Sequence, residues 1–465
     1  LAKAGLDAAM AEIDEIKEDD PSSLPPPTLS GSEATGQYQV TITPTGRGTY
    51  TVVSTGTARN RVKQITAEVA PAPEPFALLS GGNVDITHNA AVSLGGFNVE
   101  GDINAGHDVD LHASSVAASV SGMNIKGDVR AGNDANLSAS AILLAHVRMD
   151  IAGELSSGRD VTFDTLGILG VGSIDVHGPV SYVRNLNGRN ETGVDLYGGY
   201  RKVSGVTITP PREANVAEFE ARVRELERQG KLETVRPSEA CGTVETNLRV
   251  DGDLKCTKLK VASGAFVVVD GSLDVDSATV EGTLYVRGGP TPNPYGDVKI
   301  QALALLELIG RFDPMKGSGV IVATGNVDVG KSGLARALSV VSGQKAVLQV
   351  MAVSTGDDDN RNDIDFGLGA VLAAIDWSKA APLFLYAAKD GNITINIFNG
   401  ISLLDFAPQP LVAVAGGDIT VESAGIAEVA SAYTIKAWPE IWKLVPPSLQ
   451  GLGRARVLTW EWTDA

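Results

Sequence analysis

Apolar residues recur with two different periods along this chain, and the change of period marks its parts. In residues 1–19, Leu6, Met10, Ile13 and Ile16 follow steps of four, three and three, which places them on one face of a helix. The next stretch, PSSLPPPTLSGSEATG, is rich in proline, serine and glycine and is expected to be a linker. Period two then takes over. Tyr38–Thr43, Thr49–Ser54 and Val62–Val69 alternate apolar and polar residues, with turn residues between them, and predict a three-stranded antiparallel meander. A helix followed by such a meander is a small α+β module. APAPEPF, at 70–76, separates this module from the longer remainder of the chain.

Beyond Phe76 the pattern repeats. GDINAGHDVDL, GDVRAGNDANL and GELSSGRDVTF begin at Gly101, Gly127 and Gly153, a step of 26 residues each time. Related words are GGNVDI at Gly81, GSLDV at Gly271, GTLYV at Gly282, GNVDV at Gly325, GNITI at Gly391 and GDITV at Gly417. Each is a glycine turn followed by a short strand with apolar residues two apart. A strand of four or five residues cannot bury its face alone. Coiling the chain would stack Val84, Val109, Ala135 and Val161 as a ladder, with glycines at corners that need positive φ. The expected fold is therefore mainly β, with a β-solenoid as the large domain; a β-sandwich with Gly-rich turns fits the fixed step less well.

The repeat is interrupted. Residues 213–230 predict an amphipathic helix with Val216, Phe219, Val223 and Leu226 on one face, expected to cover an open edge of the coil. Residues 301–309 and 366–388 look like insertions. From Tyr433 the composition shifts: Trp438, Trp442, Trp460 and Trp462 lie there, and ARVLTWEWTD predicts one alternating strand.

Composition supports a thin coil, with 52 Gly and only 5% aromatic residues in 465. The net charge of −18 argues against a protein coated in nucleic acid. Charge by segment is more informative. Arg184–Lys260 holds 14 Lys+Arg against 12 Asp+Glu, and the remainder holds 24 against 44. Arg184, Arg189, Arg201, Lys202 and Arg212 precede the predicted helix. Arg222, Arg224, Arg228, Lys231 and Arg236 lie on and after it, and Arg249, Lys255, Lys258 and Lys260 surround the two cysteines. One reading is an ordinary charged helix face; the other is a local site for an anionic ligand, with Tyr182, Tyr197 and Tyr200 near enough to stack on bases.

Other motifs weigh less. GNVDVGKS, at 325–332, matches a phosphate-loop pattern, but Val327 and Val329 alternate as strand residues do. In GDDDNRNDIDFG, Asp358, Asn360 and Asn362 have calcium-loop spacing, yet Asp363 occupies the turn-glycine position and the twelfth-position Glu is missing; a solvated loop is the plainer reading of residues 357–365. His88, His107, His112, His146 and His177 are scattered and read as surface residues. No catalytic motif stands out and no cofactor or metal is called for, so the chain is expected not to be an enzyme. Cys241 and Cys256 are either free thiols or one disulfide closing a short loop.

The two ends carry a resemblance. QYQVTITPTGRGTYTVVSTGTARNRVKQITAEV after an amphipathic helix, and the terminal RVLTWEWTD, resemble the minor pilins of type IV pili, and the large inserted repeat resembles competence-associated tip pilins in that family. The resemblance implies a β-solenoid domain inserted into a small α+β pilin-like domain with an N-terminal helix: residues 1–75 and 433–465 build the pilin-like part, and 76–432 the solenoid, with a helical insertion near 210–232. It implies a place at the bacterial cell surface, at an extracellular pilus tip, with other minor pilins and the major pilin as partners. An apolar N-terminal helix, absent from this sequence, would sit in the inner membrane before assembly. Export to an oxidising compartment favours a Cys241–Cys256 disulfide. The function implied is a non-enzymatic receptor for DNA in natural transformation. The candidate contacts, taken from the basic segment, are Arg184, Arg189, Arg201, Lys202, Arg212, Arg222, Arg224, Arg228, Lys231, Arg236, Lys255, Lys258 and Lys260. A tip adhesin for cell surfaces or glycans is the alternative, and a solenoid polysaccharide lyase a more distant one.

Overall fold

The computed structural model describes residues 1–14, 26–33, 36–45, 50–59, 61–70, 76–93, 96–117, 120–206, 208, 211, 216–289, 295–301, 315–316, 319–329, 348–352, 362–372, 383–402, 409–428, 433–436 and 456–464. The fold is mainly β: one small antiparallel sheet and an extended system of parallel sheets, with two α-helices among the described residues.

Helix α1 (Ala2–Asp14) packs Ala2, Leu6, Ala9 and Ile13 onto the antiparallel sheet. That sheet contains β1 (Thr28–Glu33), β2 (Gly36–Pro44), β3 (Tyr50–Ala58) and β4 (Arg61–Ala70), and its next strand is the C-terminal Arg456–Asp464. Gly5 permits the close approach, because a Cβ there would lie 2.2 Å from Ser54 Oγ. The expected three-strand meander is present. Strand β1, however, occupies part of the expected linker: TLSGSE has no apolar alternation, and it holds its place by full backbone pairing along the edge of β2.

The parallel sheets begin with β5 (Phe76–Ser80), β6 (Val84–Ser93) and β7 (Phe97–Glu100), each founding one face. On face I, β5 pairs with Asp102–Ala105, which pairs with Val129–Ala131 and then Leu155–Ser157. On face II the register aligns Val84, Val109, Ala135, Val161 and Leu186, the apolar ladder expected from the repeat. Face III aligns Phe97 with Met123, Met149 and Ile174. Inward residues such as Ile103, Val129, Leu137 and Met149 are buried in one continuous apolar core. The repeated glycines have a reason beyond positive φ. A Cβ on Gly132 would come within 2.0 Å of the Gly106 carbonyl, and one on Gly158 within 1.9 Å of that of Gly132, so these corners need glycine to let backbones stack.

Two features were invisible in the repeat. The first is a seam. The strands Gln409–Ala415 and Ile419–Glu428 pair in parallel with β5 and β6, and Tyr433–Lys436 pairs with β7. The chain therefore builds an upper half outward from β5–β7 to Tyr200–Lys202. It restarts at the far end with Glu233–Val235 and returns strand by strand to the same β5–β7. His88 spans the seam, with Nδ1 3.2 Å from Ser423 Oγ and Nε2 3.0 Å from Ser121 Oγ. It is buried, not superficial as expected, and burial pushes its pKa down to about 4.

The second is a ladder of Asp and Asn side chains. Asp297, Asn326, Asp363, Asn392, Asp418, Asn83, Asp108, Asp134 and Asp160 each accept a hydrogen bond from the backbone N–H of the equivalent residue one coil on. The ladder passes through the seam without a break. It explains the N or D of GGNVDI, GNVDV, GNITI and GDITV, whose side chain satisfies an N–H that the turn leaves without a strand partner.

Helix α2 (Ala217–Arg228) lies on the outer surface of face I in the lower half, not over an open edge. Val223 and Leu226 pack there with Val268, Tyr285, Val322, Met351, Phe384 and Tyr386, whose outward side chains are buried. The expected insertion at 366–388 instead contributes strands to two faces, Ile364–Leu372 and Leu383–Ala387.

Candidate binding surfaces

The basic segment is continuous in sequence and divided in space. Among the described residues, Tyr200–Lys202 pairs only with Val180–Tyr182 and forms the upper edge of face I; Glu233–Val235 pairs only with Leu248–Asp251 and forms its lower edge. At about 4.8 Å per strand, the two edges stand about 60 Å apart. Residues 203–232 bridge them, so neighbours in sequence arrive at opposite ends.

At the upper end the cations are largely engaged. Arg201 Nη2 donates to Glu68 Oε2 at 2.8 Å and to Thr459 Oγ1 at 3.2 Å, and its Nε donates to Ser181 Oγ at 3.2 Å. It therefore ties the parallel sheets to the small antiparallel one. The Arg184 Nε lies 3.6 Å from Asp160 Oδ1. Arg189 stacks its guanidinium 4.8 Å above the Tyr200 ring. Lys202 is exposed. Tyr197 stacks on His177 at 4.9 Å, and both Tyr197 and Tyr200 present surface to solvent, whereas Tyr182 packs against the core.

At the lower end more cations are open. Arg222, Arg224 and Lys231 are exposed and make no ion pair among the described residues; Arg228 pairs with Glu225. In Leu254–Val261 the alternation shifts by one at Thr257–Lys258, so that Leu254, Cys256, Leu259 and Val261 are buried and Lys255, Lys258 and Lys260 exposed. Lys255 reaches Asp274 Oδ2 at 3.3 Å; Lys258 and Lys260 have no ionic partner among the described residues. Arg236 is exposed at the adjoining corner. Arg212 lies outside the described residues. Arg249 is used structurally: with Arg287 it shares Asp270, and the two reach Glu227 and Glu220 on α2, fastening the helix to face I. Tyr285 donates its O–H to Glu220 Oε1 at 2.7 Å, and burial, then that carboxylate, holds the phenol protonated far above its usual range.

Cys241 and Cys256 are disulfide-bonded, with Cα atoms 5.7 Å apart. The bond fastens the turn before the edge strand Gly242–Val244 to the next coil of face II, at the end nearest the open lysines.

No family model matches the chain, and no curated protein matches it. Among solved structures, the crystal structure of the competence-associated pilin ComZ from Thermus thermophilus matches over 99% of this chain and 94% of that one, with 14% identity and a TM-score of 0.23.

Other sequence motifs resolve in simpler ways. Val327–Val329 is a face II strand with both valines buried, and its neighbours Lys331 and Ser332 lie outside the described residues. Most of 357–365 also lies outside; Asp363 belongs to the Asp/Asn ladder. No group of His, Cys, Asp and Glu suited to a metal occurs among the described residues, and no described helix is long and apolar enough to cross a membrane.

Sequence reasoning missed a buried polar column on the outside of upper face I. Asn104, Arg130, Ser156 and Ser181 lie in register and are all buried. Arg130 pairs with Asp102 at 3.2 Å and with Asp128. Glu154 is beside it, accepting from Ser181 Oγ at 2.8 Å and 4.0 Å from Arg201. Burial, then the nearby Glu68, push its pKa up to about 7. A strand with Arg or Ser at alternate places predicts a solvent face, and nothing local announces the cover.

Proposed function

We propose that the chain is a minor pilin displayed at the tip of a type IV pilus, acting without catalysis as a receptor for extracellular DNA. The observation that carries the reading is architectural. Helix α1, β1–β4 and the C-terminal strand build one small module from the two ends of the chain, with Gly205–Val206 added at its edge, and the parallel coils, taken as a β-solenoid, form an insertion between β4 and Arg456–Asp464. The STGTA…AEV phrase and the terminal RVLTWEWTD fall on β3, β4 and that last strand. Such an arrangement suits anchoring by the module and display by the coils.

For the ligand, the lower end supports DNA better than the upper. Arg222, Arg224, Lys231, Arg236, Lys258 and Lys260 present cations that no internal carboxylate takes up among the described residues. Contacts to phosphates need no base readout and make affinity fall steeply with salt. A gel-shift series at two salt concentrations tests this. Charge reversal at Lys258 and Lys260, or at Arg222, Arg224 and Arg228, should weaken binding and flatten the salt slope by about one per lost contact. Reversal at Arg184 and Lys202 should do little. If every reversal leaves binding unchanged, or the intact chain does not bind, the DNA reading is wrong. The separation of the cations over two ends favours the second reading, a tip adhesin.

A further inference from the structure

We infer that the joint between the small antiparallel module and the parallel coils is a proton-operated latch, with Arg201 as its moving part and Glu154 as its trigger. The proposal is independent of the DNA reading. Four side chains meet at one guanidinium, two from each side of the joint. From the module, Glu68 on β4 accepts from Arg201 Nη2 at 2.8 Å, and Thr459 on the C-terminal strand accepts from the same nitrogen at 3.2 Å. From the coils, Ser181 accepts from Arg201 Nε at 3.2 Å, and Glu154 Oε1 stands 4.0 Å from Nη2. The Ser181 O–H donates to that Glu154 oxygen at 2.8 Å.

Two observations make the arrangement switchable. First, Glu154 is only 6% exposed, and its side-chain hydrogen-bond donor among the described residues is a neutral hydroxyl. A buried carboxylate without a close cation favours its protonated form. The groups that face it come from every neighbouring element: Asp128 and Arg130 from the preceding coil, Ser181 from the next, Arg201 from the edge strand and Glu68 from β4. Arg130 is engaged with Asp102 and Asp128, and Arg201 sits closer to Glu68 than to Glu154. Second, the two carboxylates on opposite sides of the joint share one guanidinium. While Glu154 carries a proton, Arg201 serves Glu68 and the joint is closed. When Glu154 ionises, it draws the guanidinium back toward the coils and repels Glu68, and both changes loosen the same contact. Burial and the Glu68 charge, which raise the Glu154 pKa from 4.5 to about 7, agree with this geometry. A carboxyl with a raised pKa in the closed joint stabilises closure fully below 4.5, and that contribution is lost as pH rises to 7.

The latch has a contact to release. Just beyond the edge strand Tyr200–Lys202, Gly205–Val206 pairs with the C-terminal strand, and the Ser204 N–H donates to the Trp460 carbonyl at 3.1 Å. Gly205 lies against the Trp460 ring, where a Cβ would come within 2.6 Å of Cε2. Opening this joint lets the coils tilt on the module about the chain connection from β4 to β5.

Amide hydrogen exchange of the intact chain at pH 5 and pH 7.5, corrected for the intrinsic rate, tests the inference. Protection of the segment Ser204–Val206 should fall at least tenfold at the higher pH, the effect of one pKa unit or more. Strand Val109–Ser115, inside the coils, should keep its protection, which separates opening of the joint from unfolding. In Glu154→Gln the segment should be equally protected at both pH values, at the wild-type level of pH 5. Glu68→Gln should lower its protection at both. A wild-type segment equally protected at the two pH values, a Glu154→Gln chain that loses protection as the wild type does, or a Glu68→Gln chain as protected as the wild type would overturn the proposal.

Discussion

Face I carries two different outer surfaces on one backbone. In the upper half its outward column is Asn104, Arg130, Ser156, Ser181 and Arg201; in the lower half it is Val414, Tyr386, Met351, Val322, Tyr285 and Val268. Both are covered. The small antiparallel sheet meets the end of the upper column at Arg201, through Glu68 and Thr459, and α2 closes on the lower one through Val223 and Leu226. The same inward valines and leucines hold both halves, so the difference lies in what each outer face must dock. An apolar column binds its cover by removing surface from water, without directional demand. A polar column gains from its cover only where donors and acceptors meet, which makes docking directional and, at Glu154, sensitive to protonation; Asn104 Oδ1 and Ser156 Oγ meet no hydrogen-bond partner among the described residues.

Four measurements test that contrast. The largest effect should come from Arg130→Ala, which leaves Asp102 and Asp128 with a buried charge uncompensated; about 4 kcal/mol should be lost in denaturant unfolding. Replacing both carboxylates by Asn in the same variant should return much of it. Next, Leu226→Ala should cost about 3 kcal/mol on the apolar side, with no pH dependence. If the Arg130 variant costs less than the Leu226 variant, the buried ion pairs within the polar column are not a stabilising contact.

The third measurement is the pH profile of stability. Glu154 has its folded pKa raised from 4.5 to about 7. Its contribution is complete below 4.5 and is lost as pH rises to 7, up to about 3 kcal/mol. His88 runs the other way: its pKa is lowered from 6.5 to about 4, so its contribution is present above 6.5 and lost as pH falls through 4. The two slopes oppose each other between pH 4.5 and 6.5. Glu154→Gln should therefore uncover a profile in which stability rises with pH there, and His88→Asn should uncover the reverse. The smallest effect concerns what the halves share. Asp134→Ala above the seam and Asn392→Ala below it should each cost about 1 kcal/mol, the value of one backbone hydrogen bond. Unequal costs would mean that the halves differ inside as well as outside.

How much of the fold is legible in the sequence depends on physical range. The helix faces, the β2–β4 meander, the terminal strand and the 26-residue ladder are set by residues close together or by a repeated word, and the pattern displays them. Strand β1 escapes because an edge strand needs only backbone partners, which TLSGSE supplies without a signature. The seam escapes because Val84 and Ile419 meet across the whole coil without any shared motif beyond the common glycine word. The polar column escapes because its cover comes from elsewhere in the chain. The division of the basic segment escapes for a related reason: composition counts charge along the chain, and residues 203–232 carry that chain down the length of the molecule. The outward placing of Lys258 and Lys260 was not legible from alternation, because the strand shifts phase at Thr257–Lys258.

The seam has a mechanical consequence. Strand β4 is followed by β5 in the middle of the stack, whereas Gly205–Val206, just beyond the upper edge strand, pairs with the C-terminal strand of the small module. A coil held by an end strand can be peeled one strand at a time, each step breaking a few hydrogen bonds. Here a pull on the small module is shared between β5 in the middle of the stack and the upper edge, where Gly205–Val206 pairs with the C-terminal strand and Arg201 holds Glu68.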